Sequence, residues 1–194
     1  MSLHLTCWNG IGTVTGANFL LEDHDTRILV DCGLLQGVAN ATETNKLRFP
    51  YDPSKIHFLF ITHAHMDHIG RIPKLVKDGF RGVIYSTAQT KELAGLMLAD
   101  ALKIMDMNKK ELNEAPMYEL ADLEQTLSLW QTISYDKETK LNDQFSVLTK
   151  DAGHILGSAM YQFNYLNAEV QKKLGRPMKI LFTGDSGNSP SPLF

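Results

Sequence analysis

Cysteine is nearly absent from this chain. Cys7 and Cys32 are the only two, and they show no CxxC spacing. They read as buried reduced thiols rather than as a disulfide or as metal ligands. Long apolar runs are missing too. Nothing approaches the ~20 residues that cross a bilayer. The opening Met1-Ser2-Leu3-His4-Leu5 lacks a basic segment followed by a long apolar one, so no secretory signal is expected. A cytoplasmic location with no membrane partner follows. There is no excess of positive charge: Lys and Arg number 19 against 22 Asp and Glu, a net −3. That argues against this segment holding a long polyanion by charge alone. There is no internal repeat and no low-complexity tract. What remains is 194 residues, 43% hydrophobic and 21% charged, enough for one domain with a real core.

Against that background one run stands out. Thr62-His63-Ala64-His65-Met66-Asp67-His68 places four candidate metal ligands within six residues, directly after the apolar stretch Ile56 to Ile61. Imidazoles this close repel one another when protonated, so the cluster favours a bound cation. Phe58 to Ile61 reads as a buried strand. Extended chain puts residues two apart on one side, so His63 and His65 can reach the same ion. From Ile69 to Val76 the chain reads as helical, with Pro73 tolerable only in a first turn. A strand end running into a helix start would turn Asp67 and His68 toward a second, adjacent position. The arrangement suits two metals.

The chain opens as a meander: Leu3 to Trp8, Ala17 to Glu22 and Arg27 to Asp31, with a tight turn at Glu22 to Thr26. The loop Gly10-Ile11-Gly12-Thr13-Val14-Thr15-Gly16 is read as a hairpin device rather than a phosphate cradle. Gly82 to Ser86 is a short strand. Helices are expected from Gln89 to Asn113 and from Tyr118 to Leu129. Strands return at Phe145 to Thr149, Met160 to Leu166 and Lys179 to Phe182. A polar connection ending in Gly175-Arg176-Pro177 joins the last two. Mixed strands with helices in blocks suit helices covering the outer faces of sheets.

Three further residues sit at strand ends. His154 follows Gly153, and Asp185 follows Gly184; each is a weak signal alone, and a lone His154 reads more readily as a loop residue than as a ligand. Asp31 precedes Gly33, where it is a site residue or the cap of the next turn. Strand ends on one rim converge, which raises all three. His63, His65 and His154 would form a three-nitrogen site. Asp67, His68 and Asp185 would form a second, harder one, with Asp185 bridging. Such donors fit zinc, with manganese as the alternative. Asp67 and Asp31 are the candidate catalytic carboxylates.

Together these residues carry a resemblance. THAHMDH at 62–68, Asp31 in DCG, His154 in AGHILGSA and Asp185 in TGDSG are similar, in order, to the motif series of the metallo-β-lactamase superfamily. DCGLLQG at 31–37, AGHILGSAM at 152–160 and the helical segment at 89–129 resemble its β-CASP branch of RNA-processing nucleases. The resemblance implies an α/β fold, an αβ/βα sandwich with metals at one rim. It implies two zinc ions held as above, Asp31 orienting the ligand shell, and metal-dependent hydrolysis of RNA phosphodiester bonds. It also implies that residues 1–194 are the N-terminal part of such a domain. The β-CASP insertion, the C-terminal half and a further histidine ligand of the second zinc would lie beyond Phe194. The fragment is then expected to be weak or inactive, and to self-associate through an exposed edge. The alternatives are a thioester or lactone hydrolase of the same superfamily, a non-catalytic scaffold subunit, and a zinc-stabilised binding module.

Overall fold

Residues 4–30 fold as the meander that their alternation predicts. β1 (His4–Asn9), β2 (Asn18–Glu22) and β3 (Arg27–Val30) pair antiparallel in succession. Asp23 closes the β2–β3 turn, its Oδ1 accepting the amides of Asp25 and Thr26 at 3.0 and 2.8 Å, which is an Asx turn. This computed structural model describes residues 2–187. After β3 comes α1 (Ala41–Lys46), and then β4 (Phe58–Phe60) joins β3 in parallel. Parallel strands need crossovers, and helices supply them. α2 (Met66–Ile69) and α3 (Ile72–Lys77) lead to β5 (Val83–Ser86). α4 (Ala88–Leu112) and α5 (Leu120–Ser128) lead to β6 (Trp130–Thr132). The six strands form one sheet in the order β1-β2-β3-β4-β5-β6.

β7 (Glu138–Lys140), β8 (Phe145–Asp151) and β9 (Ala159–Tyr165) follow, then α6 (Ala168–Leu174) and β10 (Met178–Phe182). They build an antiparallel sheet in the order β10-β9-β8-β7. The two sheets pack face to face. Leu21, Ile28, Val30 and Phe60 meet Phe145, Val147, Tyr161, Phe163 and Tyr165 between them. Phe60 stands edge-on to Phe163 and Tyr161 at 5.0 and 5.1 Å. On the other face of the large sheet, Leu20, Leu29, Leu59 and Ile84 pack under Leu75, Val76, Leu98 and Leu123 of the helices. Neighbours such as Leu59 and Phe60 thus serve opposite cores, because a strand alternates its faces. A strand buried on both sides reads as a continuous apolar run, as Phe58 to Ile61 does.

Three local readings of the sequence change. The helical stretch expected from Ile69 is two helices, broken at Gly70 and Arg71. The Arg71 amide donates to the Cys32 carbonyl at 2.9 Å instead of continuing the helix. Pro73 then falls in the first turn of α3, where its missing N–H costs nothing. Within the polar connection before Gly175 lies α6, capped by Asn167, which accepts the amides of Glu169 and Val170. α1, β6 and β7 also lie in segments where the sequence suggested no element. Each is three to six residues long, too short to show a period.

Both cysteines are free thiols, but only Cys32 is buried as expected; Cys7 is half-buried, and burial pushes the Cys32 thiol up to about 12. Among the described residues no helix is long and apolar enough to cross a membrane.

Candidate metal centre

The chain leaves β4 extended. At His65, just before α2, φ is −73° and ψ is 148°. His63 and His65 therefore face one side, with His63 Nε2 3.0 Å from His65 Nδ1. α2 then turns the chain, and its single turn is bolted in place by neighbouring backbone. Ala17, Cys32 and Leu34 donate their amides to the carbonyls of Asp67, His68 and Met66 at 2.9, 2.8 and 3.0 Å. The fit leaves no room for a side chain at Gly33, where a Cβ would stand 1.6 Å from the Asp67 carbonyl oxygen.

His154 arrives from the opposite sheet. Its loop is held by Ser158, whose Oγ accepts the amides of His154 and Ile155 at 3.0 and 3.3 Å. The Gly157 carbonyl accepts two hydroxyls, Thr87 Oγ1 at 2.7 Å and Thr90 Oγ1 at 2.8 Å. Thr87 is also the N-cap of α4, so the loop is fastened to the start of the longest helix. His154 Nε2 comes within 3.3 Å of His65 Nδ1.

Asp185 enters from the turn after β10. Its Oδ2 lies 4.0 Å from His63 Nε2 and 3.8 Å from His154 Nε2, while its Oδ1 lies 3.5 Å from His68 Nε2. One ligand atom from each of His63, His65, His154 and Asp185 falls within 4.8 Å of all the others. On the far side of Asp185, His68 Nε2 is 3.9 Å from Asp67 Oδ2. The Asp185 carboxylate thus closes the three-histidine cluster with Oδ2 and reaches His68 with Oδ1.

Asp31 stands behind the cluster, not in it. It is buried at φ +59°, a left-handed conformation uncommon outside glycine. Its Oδ1 accepts the Thr62 amide at 2.8 Å; its Oδ2 accepts the Thr62 hydroxyl at 2.8 Å and lies 2.8 Å from His68 Nδ1. Its carboxylate thus holds the back of His68 and leaves Nε2 pointing forward. Of the two carboxylates singled out in the sequence, Asp31 is buried against Thr62 and His68, and the Asp67 side chain is partly exposed.

The electrostatics favour a cation. Burial, then the crowding of His68, His65 and His154, pushes the His63 imidazole down to about 2. Burial and His154 also lower His65. For His68 burial acts downward too, but the contacting Asp31 carboxylate, with Asp67 and Asp185, outweighs it and raises the imidazole. The lowered imidazoles of His63 and His65 beside the Asp185 carboxylate are the donor chemistry of a borderline dication, and the raised His68 shows that its carboxylate surroundings favour positive charge. The residues present fit such an ion.

A family model described as a metallo-beta-lactamase superfamily domain matches residues 20–171. The chain belongs to the metallo-β-lactamase superfamily. Within it, the chain is 35% identical over 175 residues to ribonuclease TTHA0252 of Thermus thermophilus, covering 90% of this chain and 36% of that protein. It is 32% identical to transcription termination factor FttA of Cenarchaeum symbiosum, covering 97% of this chain and 30% of that one. To cleavage and polyadenylation specificity factor 73 of Drosophila melanogaster it is 31% identical, with shares of 91% and 24%. The chain thus spans little more than a third of these relatives, or less. Solved metallo-β-lactamases share the fold. One from Cronobacter sakazakii gives a TM-score of 0.53 at 15% identity over 94% of this chain and 57% of its own. A subclass B3 enzyme with an active-site glutamic acid gives 0.52 at 18% identity, with shares of 94% and 64%.

Sequence reasoning placed no role on Thr62, Thr87, Thr90 or Ser158. Thr62 and Ser158 lay inside the motifs, one residue before His63 and four after His154. Nothing in the sequence marked Thr87 or Thr90, because their partner is a carbonyl about 70 residues away.

Proposed function

We propose that this chain carries the metal-binding part of a zinc-dependent hydrolase acting on RNA phosphodiester bonds, with manganese as the alternative ion. The observation that supports this most is the meeting of His63, His65, His154 and Asp185 within 4.8 Å, in a chain whose relatives are named as a ribonuclease and as RNA-processing factors. In this reading His63, His65 and His154 would hold one ion and Asp67 and His68 the other, with Asp185 within reach of both sets. Dications held so supply Lewis acidity, lowering the pKa of water toward ~7 and offsetting charge on phosphoryl oxygens.

The protein's own groups do the rest. Asp67 is partly open to solvent and is placed to accept a proton from the attacking water or to orient it. Asp31 fixes His68. Beside His68 and Asp185 a cavity of about 400 Å³ opens, lined in part by Thr13, Val14, Leu181 and Thr183, which leaves room beside the site for part of a substrate. The chain then corresponds to the N-terminal part of a metallo-β-lactamase domain of the β-CASP branch, in a cytoplasmic protein. The second position draws a further ligand from elsewhere in the whole protein. Among the described residues β10 has one open edge, with Leu181 56% exposed. Self-association through that edge is read by sedimentation velocity, and a monomer at every concentration would remove it.

Metal analysis of the whole protein, with assays on end-labelled RNA and on a thioester and lactone panel, tests the function. Zinc with RNA cleavage that is lost in His65→Ala is the expected result. A metal-free protein, or wild-type turnover in His65→Ala, overturns it. Turnover of thioesters with RNA left intact assigns the site to small molecules instead.

A further inference from the structure

Thr62 stands where four supports of the site cross. It is buried. Its amide and its hydroxyl both donate to Asp31, each at 2.8 Å. Its carbonyl accepts the Ala159 amide at 2.8 Å, at the end of the loop that carries His154. Gly184, just before Asp185, lies so close that a Cβ there would be 2.7 Å from the Thr62 Cβ. Finally, Thr62 Oγ1 is 3.1 Å from His63 Nδ1 and 3.3 Å from His68 Nδ1.

Proton counting decides what these contacts do. A hydroxyl has one proton to give and two lone pairs to receive. An ionised Asp31 can only accept, so the Thr62 proton goes to it. His68 Nδ1 has its nearer acceptor in Asp31 Oδ2, at 2.8 Å. The lone pairs of Thr62 are left facing His63 Nδ1. If that nitrogen were bare, two acceptors would confront each other across 3.1 Å around a fully buried ring, an uncompensated burial of polar atoms. If it carries the proton, the contact is a hydrogen bond and Nε2 is bare, free in the metal-free protein to accept from His65 Nδ1 at 3.0 Å.

We infer that Thr62 locks His63 as its Nδ1–H tautomer, so that Nε2 presents a lone pair to the ligand cluster. A single carboxylate, Asp31, thereby orients a ligand of each metal position: His68 directly and His63 through the Thr62 hydroxyl. Thr62 is a positioning residue. The consequence for metal binding rests on the function proposed above; the tautomer itself does not.

Long-range proton–nitrogen correlation spectra of the metal-free protein read the tautomer, with the His63 signals assigned by their loss in His63→Gln. Zinc affinity is read separately, by competition with a chromophoric chelator. The wild type is expected to show His63 protonated at Nδ1. Thr62→Val keeps the shape and removes the hydroxyl, so His63 should lose that preference and zinc affinity should fall about 10- to 100-fold, the range for a lost partner behind a ligand. Thr62→Ser should restore both. His63 protonated at Nε2 in the wild type overturns the inference. So does a Thr62→Val protein with unchanged tautomer and zinc affinity. If Thr62→Val does not fold, the wild-type spectrum and Thr62→Ser still decide. Failure of the wild type to bind zinc would remove the metal centre, while the metal-free spectrum would still report on Thr62.

Discussion

Asp31 carries two loads at once, a left-handed backbone and a buried carboxylate with three contacts. They can be separated by substitution. Asn tolerates φ > 0 and still accepts hydrogen bonds through one oxygen, whereas Ala meets a backbone cost of about 1–2 kcal/mol and strands three partners. Asp31→Asn keeps the backbone conformation but sets a donor NH2 in place of one acceptor oxygen, so it is expected to lose some stability and to bind zinc about 10- to 100-fold more weakly. Asp31→Ala is expected to lose more stability. Calorimetry with chelator competition separates the two effects, and an Asp31→Asn protein of wild-type affinity would contradict the orienting role. At this scale legibility followed sequence distance. His63, His65, Asp67 and His68 were evident because they are contiguous. His154 and Asp185 were ambiguous one by one and gained weight only as a set of strand ends. The orienting work of Asp31 was suggested only by the resemblance, and that of Thr62 was hidden, since it consists of contacts across 31 positions that only the pairing of β3 with β4 creates.

Among the elements, the clamp between α4 and the His154 loop is the one least suggested by local sequence. Gly157 has φ +83°, and a Cβ there would lie 2.7 Å from the Thr90 amide nitrogen. Gly12 has a similar φ of +73° with nothing within 4 Å. Replacing each by Ala isolates contact from torsion. Gly12→Ala meets torsional strain alone, about 1–2 kcal/mol. Gly157→Ala adds a backbone collision worth about 1–3 kcal/mol more, and it should also weaken zinc binding by displacing His154. Equal stability losses in thermal unfolding, with zinc affinity intact in both, would show that the clamp does not position the loop. The long elements were readable, because α4 and the strands buried on both faces carry clear periods or apolar runs. α6 was missed although its Asn167 cap and the left-handed Gly175 at its end are standard boundary signals; its seven residues include no buried one, so no apolar face announced it. The break between α2 and α3 was signalled only by Pro73, which fits a first turn; the Cys32 carbonyl that accepts the Arg71 amide there was not legible.

For the molecule as a whole, the sandwich turns scattered strand ends into one rim. β4 and β9 belong to different sheets, yet the segments after β4 and before β9 meet at His63, His65 and His154, joined by the Thr62–Ala159 hydrogen bond of 2.8 Å. An ion at that rim would link the two sheets outside their shared apolar core. It would bind only the folded state, since residues 63 and 185 have no reason to meet in the unfolded chain. Linkage then sets the size of the effect. At free zinc near 100 times its dissociation constant, binding contributes about 2.7 kcal/mol. A domain of 150–250 residues shifts by about 2–4 °C per kcal/mol. Chelation should therefore lower the melting temperature by about 5–10 °C, reversibly, and excess zinc should raise it further as its concentration climbs. The His65→Ala protein should respond weakly to either. A melting temperature that ignores chelator while metal analysis shows the zinc removed would mean that the ion adds nothing to the joining of the sheets, and that packing between Phe60, Tyr161 and Phe163 holds the sandwich alone.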